Sequence, residues 1–140
     1  NAFLAQAQIA CCAEIERGLA RQSVAQFESR VVEMFEAEWK RQGRSVALRR
    51  IAIIDTTPQD QYLYPEFILA KRLFERHGYD AVIADPATLR FECDVLQESG
   101  VPIDLVYNRL VDFSFDDPRH AALRMAYENG AVVATLTAAF

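Results

Sequence analysis

The chain has 140 residues, 51% hydrophobic and 25% charged, with only five glycines and five prolines. This composition excludes disorder, collagen and low complexity, and the length suits one buried core rather than two. The net charge of −5 is uneven: residues 1–50 carry eight basic and six acidic side chains, residues 51–140 seven and fourteen, an acidic body that argues against phosphate-backbone binding.

Residues 1–42 read as helix. Alanine, glutamine and leucine dominate from Ala2 to Leu19 with no proline. Gly18 and Arg21 to Ser23 suggest a break, and Ser23 followed by Gln26 is a capping-box pattern for a second helix. Phe27, Val31, Met34 or Phe35, and Trp39 recur in it at about helical spacing, and Gly43 closes it. The basic cluster Lys40, Arg41, Arg44, Arg49 and Arg50 reads as a solvated connector rather than a nucleic-acid patch.

From here the period changes. Ile51 to Ile54 is a short apolar run ending at Asp55, the pattern of a fully buried strand. Thr56 to Tyr64 is a loop, and Pro65 opens a helix that runs to His77 before Gly78. Ala81 to Ala84 is a second strand, closed by Asp85. Residues 86–102 are too few for an easy helical crossover. Leu89 to Leu96 alternates like a hairpin turning at Cys93-Asp94, with a short helix as the alternative. Ile103 to Tyr107 is a third strand, Asp116 or Asp117 caps a helix opened by Pro118, and Ala131 to Thr135 is a fourth strand after Gly130. This β-α-β, β, α-β rhythm is that of a doubly wound, mostly parallel sheet with helices on both faces, preceded by an N-terminal helical segment. The division is 1–42 for the helical segment and 43–140 for the sheet domain.

In such sheets ligands bind beyond the carboxyl ends of the strands. None of the five glycines follows the first strand, so neither a dinucleotide fingerprint nor a P-loop is present. The only lysines are Lys40 and Lys71, which leaves a phosphoacceptor receiver without the lysine it needs. Arg109 ends an apolar strand, where a guanidinium can hold a carboxylate or phosphate in two hydrogen bonds; an internal pair with Asp112 or Asp55 is the equal alternative. Asp55 and Asp85 are candidate acids, though aspartates after strands more often cap the next turn. Tyr62 and Tyr64 are expected to pack on the sheet edge.

Three cysteines, Cys11, Cys12 and Cys93, make no disulfide framework and fit a reducing cytoplasm. Buried structural thiols are the expected reading, with a catalytic Cys–His pair left open. His77 and His120 show no metal-ligand spacing. No apolar run reaches about 18 residues, so no membrane span is expected. The absence of an initiating methionine reads as a piece of a longer protein.

The stretches RIAIID (50–55), QYLYPEF (61–67), RHGYDAVIADP (76–86), IDLVYNRLVDF (103–113) and HAALRMAYENGAVVAT (120–135) resemble the N-terminal part of circularly permuted ATP-grasp proteins, relatives of glutathionylspermidine synthase and glutathione synthetase. The resemblance covers about residues 50–135, and D-x-V-Y-N-R-L is its most specific element. It implies a Rossmann-like pre-ATP-grasp domain that binds a small-molecule substrate for a ligase joining a carboxylate to an amine. It also implies that ATP and magnesium serve the full-length protein through a C-terminal ATP-grasp domain beyond this sequence. No cofactor, metal or catalytic residue is expected in this fragment, which would be inert alone. Carried over, Tyr107, Asn108, Arg109 and Asp112 fall at the substrate-facing strand end; Asp55, at the end of the first strand, completes the expected substrate-binding set. The rival reading is a non-enzymatic interaction or dimerisation module with a flavodoxin-like sheet, anchored by Phe27, Phe35 and Trp39. No nucleic-acid or membrane partner is expected; a homo-oligomer is left open.

Overall fold

The structure, a computed structural model, describes residues 19–135. The earlier helix expected over Ala2 to Leu19, and Cys11 and Cys12 with it, lies outside the described residues apart from Leu19. Helix α1 spans Leu19–Arg41. It runs straight through Arg21 to Ser23, so the expected start at Ser23 is not used. No glycine or proline interrupts those residues, and extending an existing helix costs less than starting a new one.

Four parallel strands form the main sheet: β1 (Arg50–Ile54), β2 (Asp80–Ala84), β6 (Leu105–Asn108) and β7 (Val133–Thr135), in the order β2-β1-β6-β7. Helix α2 (Tyr64–Arg76) joins β1 to β2 with Pro65 in its first turn. Helix α3 (Ala121–Glu128) joins β6 to β7; before it comes a 3-10 turn over Pro118–His120 capped by Asp117, whose carboxylate accepts from the Arg119 amide. The fold is thus a Rossmann-like α/β fold.

The strands alternate between two cores. Ile51, Ile53, Leu105 and Tyr107 face α1 and α2, packing with Val31, Val32, Phe35, Trp39, Phe67 and Phe74. Ala52, Ile54 and Val106 face the other way, against Leu123 and Ala126 of α3. Burial on both faces explains why these strands read as continuous apolar runs. Phe35 and Trp39 are therefore core residues; only Phe27 of the three expected surface anchors is exposed.

The excursion after β2 is a three-stranded antiparallel sheet of β3 (Arg90–Glu92), β4 (Val95–Glu98) and β5 (Val101–Pro102). Its hairpin turns at Cys93-Asp94 as expected. Both residues have positive φ (53° and 59°), the geometry of a two-residue type I′ turn. Leu89, Phe91 and Leu96 present an apolar side to the second core, the place a crossover helix occupies in a longer connection. Ile103 follows the end of β5, its amide bonding Leu96 O at 2.8 Å, so the parallel strand begins later than expected, at Leu105. The fourth strand likewise starts at Val133 rather than Ala131, whose amide closes the helix on Ala126 O.

The basic cluster disperses. Arg41 pairs with Glu38, and Arg44 lies over the Trp39 ring. Arg50 is buried, not solvated. It lies 3.0 Å from Asp80 and 3.1 Å from Glu98 and donates to Val101 O, pinning the amino edge of the sheet. Among the described residues no helix is long and apolar enough to cross a membrane.

Candidate functional site

The chain leaves β1 toward β2 on one side and, after the small sheet, returns to β6 on the other. β1 and β6 therefore flank the topological switch point, where the loops diverge and open a crevice beyond the strand ends. The last ladder pair is Ile54 with Asn108, and Arg109 N donates to Ile54 O at 2.9 Å. Asp55 and Arg109 thus stand side by side one step past the sheet, above the α1–α2 face.

Arg109 makes no ion pair among the described residues, with neither Asp55 nor Asp112. Its guanidinium lies over the rings of Tyr107 and Phe67, at 5.5 and 5.8 Å, and donates to the Tyr107 hydroxyl at 3.3 Å. The rings hold the cation by its face and leave the edge N–H groups for a ligand. Burial pushes the Tyr107 phenol up, and Arg109 beside it pulls the other way.

Asp55 accepts from the Thr56 amide at 2.8 Å. Burial raises its carboxyl above the usual range, against the pull of that amide and of Arg109; Asp85 adds to the rise. Asp85 itself braces loops: its oxygens accept from Ala87 N at 2.8 Å and Thr57 N at 2.7 Å, locking the loop after β1 to the turn after β2. That restraint holds Thr57 at φ 39°, a strained left-handed conformation for a β-branched residue.

The other candidates divide. Asn108 is buried, and its Oδ1 accepts from Leu110 N at 3.0 Å. Asp112 turns away from the crevice. It accepts from Asp117 N at 3.0 Å and lies 2.8 Å from His120 Nδ1, and these donors hold its carboxyl below the ordinary range. The structure thus brings together Asp55, Tyr107 and Arg109 at the crevice, with Asn108 behind and Asp112 apart. Tyr64 packs edge-on to Phe67, but Tyr62 is 95% exposed, because its loop leaves the sheet before α2 begins; the expected packing of Tyr62 fails. Cys93 is exposed at its hairpin tip rather than buried. The sequence reading missed Phe67 as the second ring under Arg109 and His120 as the partner of Asp112. The first carried a signal, a phenylalanine one turn into the helix that follows β1. The second carried none, since the pair lies eight positions apart across a stretch without periodicity.

The described residues do not suit ATP and magnesium. The loop after β1 has no glycine, Lys71 is paired with Glu75, and among the described residues no three metal-ligating side chains converge. What the crevice offers is a cation for an anionic group, beside a carboxyl whose pKa burial raises. The chain matches no family model and no curated protein.

Proposed function

We propose that this chain is the substrate-binding, pre-ATP-grasp domain of an ATP-dependent carboxylate–amine ligase-like protein, inert by itself. The observation that carries the reading is Arg109: a guanidinium with no carboxylate partner among the described residues, at the switch point of a parallel sheet, held on two rings. A parallel-sheet fold gathers ligands at that point, and a guanidinium free of internal pairing is suited to a carboxylate or phosphate. In this reading Arg109 binds the acid substrate, Tyr107 and Phe67 orient the guanidinium, and Asp55 borders the ligand on the neighbouring strand. ATP and magnesium are bound by the domain that follows, since the residues described here do not suit them. The odd cysteine count supports a cytoplasmic setting.

The test is an assay of the longer protein. ADP release is expected to require both a carboxylic acid and an amine, and Arg109→Ala is expected to raise the acid requirement. The 140-residue chain alone is expected neither to hydrolyse ATP nor to bind it. Micromolar ATP binding by the chain alone in titration calorimetry would overturn the reading.

A further inference from the structure

Arg109 heads a loop, residues 109–117, that runs from β6 to the turn before α3. Apolar burial holds only its ends, at Leu110 and Phe115; in the middle Val111 is 90% and Phe113 57% exposed. Two buried polar side chains fasten it as well. Asn108, 4% exposed, takes the Leu110 amide on Oδ1, while its Nδ2 has no partner among the described residues. His120, 3% exposed, lies with Nδ1 at 2.8 Å from Asp112 Oδ2, while its Nε2 has none either. An ionised carboxylate only accepts, so Nδ1–H donates. Neither neighbouring cation forms an ion pair with Asp112: Arg119 is engaged by Asp117, and Arg124, whose charge still reaches Asp112, is engaged by Asp116 and Glu128.

A ring nitrogen buried without a partner lowers stability. Leucine has a similar size and would fill this place with no such penalty. The imidazole is therefore explained by its Nδ1 bond, not by packing. We infer that His120 is a positioning residue: through Asp112 it fixes the 109–117 loop and so aims Arg109, at a cost in stability. This rests on the reading of Arg109 as an anion-binding group.

The test compares wild type with His120→Leu, His120→Asn and Arg109→Ala, using amide hydrogen exchange, thermal melting and titration with sodium acetate followed by NMR. His120→Leu is expected to melt no lower than wild type. Its Phe115 and Asp117 amides, which bond to Asp112, should exchange at least tenfold faster, with the β1 and β6 amides unchanged, and its acetate affinity should fall three- to tenfold. His120→Asn, whose side-chain N–H falls near the place of Nδ1, is expected to restore both. A lower melting temperature with unchanged loop exchange would mean an ordinary core residue and overturn the inference. So would faster loop exchange with unchanged acetate affinity. If His120→Leu fails to fold, Asp112→Ala breaks the same bond from the loop side and is judged by the same two readouts. If wild type shows no acetate response at Arg109, the anion-site reading fails, and the latch then stands or falls on loop exchange alone.

Discussion

Arg109 holds its charge at the sheet edge with rings beneath it and, among the described residues, no carboxylate paired with it. Removing it strands no buried carboxylate among the described residues. Arg109→Ala is therefore expected to cost about 1 kcal/mol of stability, the scale of an exposed cation–π contact, rather than the 3–5 kcal/mol of a broken buried pair. Ligand binding should weaken by about 1.5–3 kcal/mol, the scale of a charge-assisted hydrogen bond. Thermal melts with and without ligand separate the two effects, and a large loss in the unliganded mutant would restore an internal role. Asp55 gives a pH signature of definite sign. Its carboxyl is raised in the folded state. Its contribution to stability is therefore fully present below the ordinary carboxyl pKa of about 3.9 and is lost as pH rises through the folded value. Asp55→Asn keeps the acceptor for Thr56 N and removes the charge. It is expected to be more stable than wild type to urea at pH 7, with the gap closing toward pH 4; a variant less stable at pH 7 would contradict this. The positions of Asp55 and Arg109 were legible because each ends an apolar run, which is what a strand end looks like in sequence. The freedom of Arg109 was not, because pairing depends on where Asp112 turns, and that is decided by His120 and the Asp117 amide across a loop without periodicity.

The hairpin after β2 shows how local pattern and strain combine. Alternation from Leu89 to Leu96 exposed the two strands, and the turn fell at Cys93-Asp94, where both residues sit at positive φ. Asparagine and glycine suit that geometry far better. The double replacement Cys93→Asn and Asp94→Gly is expected to raise stability by about 1 kcal/mol in urea denaturation; an unchanged or lower midpoint would mean the turn is shaped otherwise. The third strand, Val101–Pro102, escaped notice because two residues are too few for any pattern. Helix α1 was legible in its stripe but not in its start. The apolar residues at Val31, Phe35 and Trp39 fix the face that meets the sheet, while the capping signal at Ser23 was outweighed by uninterrupted helix on either side. Phe35 meets Phe74 and Tyr107 edge-on, at 5.0 and 5.2 Å. Phe35→Ala is expected to cost about 3–5 kcal/mol, measured by denaturation, and a cost under 1 kcal/mol would mean that α1 packs only loosely on the sheet.

Across the whole molecule, the two edges of the parallel sheet divide their work. The amino edge is consumed by structure: Arg50 gathers Asp80, Glu98 and Val101, and Asp104 takes the Arg49 and Arg50 amides. The carboxyl edge is braced by Asp85, Asn108 and Asp112 but leaves one cation uncommitted among the described residues. The alternation of the strands between two cores made the parallel sheet legible; which strands neighbour one another was not, since order follows from the placement of the small sheet and α3. The central claim is that the crevice between the ends of β1 and β6 captures an anion through Arg109. The most direct measurement is a titration of the ¹⁵N-labelled protein with acetate and, separately, inorganic phosphate, following the Arg109 Nε–Hε signal. Saturable shifts are expected there and at the Asp55 and Thr56 amides, all lost in Arg109→Ala. Shifts that do not saturate, or that centre on Lys40 and Arg49, would contradict the claim.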